Sequence, residues 1–215
     1  MAFSNGAPKP IVTKGLTSYI DSLDPMCYKG SGTTLVDLAG TANFTISGDP
    51  TYSNGYWDMD GSGDIFTCSN DLGSPTTVSN DFWINIEGET NNTRNINSSG
   101  TNKGVARWSI YLTTNTTLRL YRGGYQNCST ALSTSAWNYV CITNDGTTTN
   151  FYINGALSNS ESQNVSKSAQ STFIIADGYN GNFNGRMGPH RMYNRILNAS
   201  EVLQNFNAQR GRFGV

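Results

Sequence analysis

A chain of 215 residues that is 36 % hydrophobic and 11 % aromatic is long and apolar enough for one large packed domain. Only 13 % of its residues are charged and the formal net charge is −1, with no cluster of Lys and Arg to neutralise phosphates, so nucleic-acid binding is excluded. No run of 18 apolar residues occurs, which excludes a membrane-spanning helix.

The first residues, MAFSNGAPKPIVT, carry Pro8 and Pro10 and no periodic apolar pattern. They predict an extended arm over residues 1–13, followed by a single domain over 14–215. The arm lacks the apolar run of a secretory signal, so synthesis and folding in a host cytoplasm are expected. Ile11 and Val12 are its apolar anchors, placed either against a partner subunit or at the lead-in to the first strand. Pro8 and Pro10 complete this candidate docking element.

Short β-rich runs then follow one another, predicted over residues 17–20, 43–46, 56–59, 64–68, 81–87, 106–112, 117–122, 137–143, 150–153, 172–176 and 185–193. Asn-Gly and Asp-Gly pairs punctuate them, including Asn54-Gly55, Asp60-Gly61, Asn154-Gly155 and Asn184-Gly185. Such pairs supply the positive φ angles of tight hairpins. Residues 88–104, GETNNTRNINSSGTNKG, read as a long polar loop. In WNYVCIT, Trp137, Tyr139 and Cys141 face one way and Asn138, Val140 and Ile142 the other, as in a central strand covered on both faces. The helix signal is at the end. Asn198 and Glu201 form a capping-box pair, Val202, Leu203 and Phe206 an apolar stripe, and Gly211 a terminator.

Candidate chemistry is sparse. Glu87 and Glu89 are the one close glutamate pair, better explained as a solvated strand end than as glycosidase carboxylates. His190 is the single histidine and reads as structural rather than as a general base, so no catalytic residue is assigned. Asp58, Asp60 and Asp64 in DMDGSGD are the candidate metal ligands, for calcium, although the register of an EF-hand is missing. No cofactor is otherwise expected. Cys27, Cys68, Cys128 and Cys141 lack metal-site spacing; Cys68 and Cys141 read as buried thiols, with reduced cysteines favoured over disulfides. Sugar binding calls for exposed rings beside planar polar groups. The candidates are Tyr179, Tyr125, Tyr121 and Trp57, near Asp177, Asn182 and Asn127, with Tyr179 foremost because it sits in the turn ADGYNGN.

Four segments carry a family resemblance. YNGNFNGRMGPHRMYNRILNASEVLQNFNAQRGRFGV resembles the end of concanavalin A-like (laminin G-like) domains of bacteriophage virion proteins. GLTSYIDSLDPMCYKGSGTTLVDLAG resembles their N-terminal strand and loop, YWDMDGSGDIF their next hairpin, and WNYVCITNDGTTTNFYINGAL the laminin G-like hairpin. The resemblance implies an all-β, concanavalin A-like jelly-roll sandwich of two antiparallel sheets with one short C-terminal helix. It also implies a non-enzymatic protein on the particle surface: a capsid decoration, head-fibre or tail-associated protein, oligomeric in the particle. Its partners would be other virion proteins and host surface glycans. The alternative is a receptor-binding lectin module of a tail fibre or a bacterial surface protein. The Glu-x-Asp-x-x-Glu strand of laminarinase-type relatives does not occur here.

Overall fold

Period-two alternation buries one side of each strand and so requires a second layer to face it. In the computed structural model, that requirement is met by two eight-stranded antiparallel sheets. The structure describes residues 10–215 except 41, 71, 73–76, 88–92, 101–107, 114, 115, 163–169, 179 and 180. The first sheet contains β1 (Leu16–Ile20), β4 (Thr51–Ser53), β5 (Tyr56–Asp60), β7 (Val78–Ile86), β12 (Trp137–Asn144), β13 (Thr148–Ile153), β14 (Ala156–Ser162) and β16 (Asn184–Tyr193). Its order is β14-β13-β12-β7-β16-β5-β4, with β1 paired to the last residues of β16. The second sheet contains β2 (Thr34–Leu35), β3 (Phe44–Ser47), β6 (Ile65–Cys68), β8 (Arg94–Ser99), β9 (Trp108–Leu112), β10 (Thr117–Tyr121), β11 (Tyr125–Ala131) and β15 (Phe173–Ile175), in the order β11-β10-β9-β8-β15-β6-β3-β2.

Between the sheets lies the main core, with Phe44, Phe66, Phe82, Ile84, Ile110, Leu118, Leu120, Val140, Ile142 and Phe173 all buried. A second apolar cluster covers the outer face of the first sheet: Trp83, Tyr139, Cys141 and Tyr193 lie under helix α1 (Ala199–Phe213). The two-sided burial expected of residues 137–143 is thus observed, because β12 has the opposing sheet on one face and α1 on the other. All four cysteines are free and buried.

The capping box at α1 is present. The Asn198 side chain accepts from the Glu201 N–H at 3.0 Å, and Glu201 accepts from the Asn198 N–H at 3.0 Å. Two other expectations for the helix are corrected. Gly211 does not end it; Gly214 does, in the left-handed conformation at φ 71°. Leu203 is 45 % exposed, and the buried residues are Val202, Asn205, Phe206 and Phe213. At about 100° per residue, positions 202, 206 and 213 share one face and 203 stands off it. Phe213 stacks on Trp83 with ring centroids 4.3 Å apart.

Beneath the helix is a dry ion pair. The Arg191 Nε lies 2.5 Å from Asp81 Oδ1, and neither side chain is exposed. Tyr139 and Asn205 donate to Asp81 Oδ2 at 2.9 and 2.8 Å. Asn205 Oδ1 in turn accepts from the Val12 N–H at 2.8 Å, and Tyr193 donates to the Val12 carbonyl at 3.0 Å. Of the two placements open to Val12, the structure therefore gives the lead-in to β1, sealed against its own domain and not free for a partner. Ile11 beside it is half-buried, Pro10 is exposed with its carbonyl accepting from Gln204, and Pro8 falls outside the described residues.

Several strands escaped sequence reading. Residues 88–104, read as a loop, contain β8. Its polar side chains are buried because they are bonded: Asn97 donates to Asn80 at 2.8 Å and accepts from the Trp108 indole at 3.1 Å. A register shift between Asn95 and Asn97 lets Ile96 and Asn97 both face inward. The polar strands β11 and β14 were missed too. They are sheet-end strands whose side chains cross-link the two layers, through Asn159 to the Ser129 N–H and the Asn127 carbonyl and through Ser158 to the Thr130 N–H. Asn54-Gly55 and Asn154-Gly155 make hairpin turns, with φ of 47° and 82° and of 50° and 81°. Asn184-Gly185 does not; it opens β16, where a Cβ on Gly185 would stand 2.3 Å from the Asn85 carbonyl oxygen.

Candidate functional site: a tyrosine and arginine row on the outer face of the second sheet

Leu118 and Leu120 of β10 point into the core, so Arg119 and Tyr121 point out. Strand register extends this outward set into two rows. Asn95 pairs with Tyr111, Tyr111 with Arg119, and Arg119 with Asn127. One step along, Ser98 pairs with Ser109, Ser109 with Tyr121, and Tyr121 with Tyr125. Each row crosses four strands, roughly 14 Å at the usual strand spacing.

The rows grade from floor to open platform. Asn95, Ser98, Ser109 and Tyr111 are buried, Arg119, Tyr121 and Asn127 are half-buried, and Tyr125 is 63 % exposed. Tyr121 and Tyr125 are tilted against each other with centroids 5.2 Å apart. The Arg119 guanidinium lies 5.3 Å from the Tyr125 ring and 6.0 Å from the Tyr111 ring. Its Nε donates to Asn127 Oδ1 at 2.5 Å. Burial raises the Tyr111 phenol above its ordinary value, and the nearby Arg119 guanidinium works the other way.

Asp177 and Asn182 stand at the opposite end of the rows. Their loop folds back onto β8: the Asn95 N–H donates to the Gly181 carbonyl at 3.0 Å, and Ser98 Oγ to the Asp177 carbonyl at 3.3 Å. Gly178 lies so close to Asn95 that no Cβ would fit there. Tyr125 and Asp177 thus share a face but not a single pocket. Tyr179, the foremost sequence candidate, lies outside the described residues. Trp57 is corrected outright: it is buried in the core, donating from Nε1 to Ser22 at 2.6 Å and packed against Tyr28. Arg119 and Tyr111 were missed. The alternation in TLRLY carried the signal, with two leucines framing a long polar side chain.

The metal candidates are partly rearranged. Asp60 and Asp64 do converge, but the third carboxylate is Asp49, their oxygens all lying within 4.8 Å of one another. Asp58 is turned to Arg186, 3.6 Å away, which also pairs with Glu87 at 2.9 Å. Asp64 already accepts from the Asp49 and Asp60 N–H groups at 2.9 and 3.0 Å, so it also serves as the staple of that turn.

His190 is fully buried between the sheets, stacked on Phe82 at 5.8 Å. Its Nε2 faces the amide nitrogens of Asn80 and Asn97 at 3.1 and 3.0 Å, which requires Nε2 to accept. Burial first, and then Arg191, push its pKa down to about 3. A histidine so held is a neutral core group. A cleft of about 960 Å³ opens elsewhere, between Leu23 and the last turns of α1, where Arg212 meets Asp21 at 2.7 Å and Arg210 lies over the Phe206 ring.

A family model described as the concanavalin A-like lectin/glucanases superfamily matches residues 60–203. No curated protein matches the sequence. Among solved structures, the sialidase of Trypanosoma rangeli in complex with sialic acid superposes with a TM-score of 0.73 at 15 % identity, covering 93 % of this chain and 34 % of that one. This chain therefore spans about a third of that enzyme. The receptor binding domain of botulinum neurotoxin C/D mosaic serotype gives 0.72 at 19 % identity, covering 92 % of this chain and 52 % of that one. Domain 4 of AbnA, a GH43 extracellular arabinanase from Geobacillus stearothermophilus, in complex with arabinotriose, gives 0.70 at 19 % identity, covering 89 % and 98 %. At such identities the likeness is one of fold.

Proposed function

We propose that this chain, which belongs to the concanavalin A-like lectin/glucanases superfamily, works by binding rather than catalysis, as a bacteriophage virion surface protein that holds host glycans on the outer face of its second sheet. The observation that carries the binding reading is the Tyr121–Tyr125 pair beside Arg119 and Asn127. Tyrosine rings offer an apolar face to the C–H side of a sugar, and the guanidinium and amide meet its oxygens. The fold suits the role, since a GH43 arabinanase domain of the same shape is known in complex with arabinotriose. The virion setting rests on the terminal segments, YNRILNASEVLQNFNAQRGRFGV above all, which resemble phage virion proteins.

The purified protein should label host cells or a glycan array without releasing reducing sugar. Tyr125→Ala should weaken that binding at least about tenfold, ~1.4 kcal/mol, while leaving the melting temperature unchanged. Undiminished binding by Tyr125→Ala would remove the platform from the argument. Density for this sandwich on the outside of the particle in a cryo-EM map would establish the virion setting, and its absence from the particle would overturn it.

A further inference from the structure

Four arginines are matched by acids: Arg186 by Asp58 and Glu87, Arg191 by Asp81, Arg195 by Glu201, Arg212 by Asp21. Arg119, in the outer row, is held by rings and an amide instead. Among the described residues no carboxylate lies within 4.0 Å of it. Its neighbours are the Tyr111 and Tyr125 rings and the Asn127 side-chain oxygen.

A half-buried guanidinium has lost part of its hydration and is ordinarily repaid by an anion. Here the cation is oriented as well as uncompensated. Asn127 accepts from Nε at 2.5 Å, and the Tyr125 and Tyr111 rings lie 5.3 and 6.0 Å from the guanidinium. Of the five N–H donors of an arginine, those on the open side remain to be used. A planar fork held in this way matches a carboxylate with two parallel hydrogen bonds.

We propose that Arg119 makes the outer row a receptor for acidic glycans, with the carboxylate of a sialic or uronic acid on its guanidinium and the sugar ring on Tyr125. This rests on the glycan-binding reading above and names its ligand class. Asn127 is a positioning residue, acting through the orientation of Arg119. The two sources of the carboxylate share one chemistry at the fork and differ in what else they present to Tyr121.

The test uses the intact chain and four probes: sialyllactose against lactose, and a uronic-acid trimer against its carboxyl-reduced, neutral form. At least one acidic probe should bind about 10- to 100-fold more tightly than its neutral parent, the range of a charge-assisted hydrogen bond. Which one does so identifies the source. The preference should shrink as salt is raised. Arg119→Gln should bring the acidic probe down to the level of its parent with an unchanged melting temperature, and Tyr125→Ala should weaken both members of the pair. Equal binding of acidic and neutral probes by the unaltered protein would overturn the inference while leaving the platform intact. An Arg119→Gln variant that weakens both members equally would overturn it as well, by reducing Arg119 to a general contact. Failure to bind any of the four probes, or any glycan of an array, would overturn both this inference and the function it rests on.

Discussion

Lowering the pH from 7 to 5 should weaken the fold by about 2 kcal/mol through one side chain, His190. It is the single histidine of the chain, and histidine is the side chain whose ordinary value lies in that window. In the folded state its pKa falls from 6.5 to about 3, through burial and then through Arg191. As the pH drops below 6.5 the unfolded chain takes up a proton that the folded chain refuses until about pH 3. Between those values the unfolded state holds more protons. The contribution is therefore complete above about pH 6.5 and is lost progressively on acidification. About 1.4 kcal/mol per unit over the roughly 1.5 units down to pH 5 gives ~2 kcal/mol, or about 4–8 °C in melting temperature for a domain of this size. Calorimetric melts at the two pH values, on the natural chain and on His190→Gln, measure this. The glutamine oxygen can accept from Asn80 and Asn97 where Nε2 does now, so the variant should fold and show a flatter dependence. Equal slopes in the two proteins would refute the assignment of the loss to His190.

The buried pair under α1 makes a second prediction. Arg191→Met leaves Asp81 charged, dry and unmatched, and should cost about 3–5 kcal/mol in urea unfolding; a loss under 1 kcal/mol would mean that water reaches Asp81. Phe213→Ala removes the ring stacked on Trp83 and should also cost about 3–5 kcal/mol, while Leu203→Ala, at a half-exposed position, should change the midpoint little. If the two substitutions cost the same, the helix does not pack as described.

Features decided within a few residues were legible in advance. The turn at Asn154-Gly155, the capping box of Asn198 and Glu201, and the two-faced burial of WNYVCIT each follow from local conformational preference or from period-two alternation. From these and the family resemblance, the all-β sandwich with its terminal helix could be anticipated. The strands β8, β11 and β14 could not, because an Asn- and Ser-rich run reads as loop until a partner across the sheet bonds its side chains, as Asn80 and Trp108 do for Asn97. The same holds for Asp49 beside Asp60 and Asp64, and for Asn205, buried on the underside of α1 against Asp81. The outer row is the clearest case. Asn95, Tyr111, Arg119 and Asn127 come from four strands, and only antiparallel register sets them side by side. Local sequence determines which way a side chain points from its own strand; which side chains it meets depends on pairings that form only when the whole sheet closes.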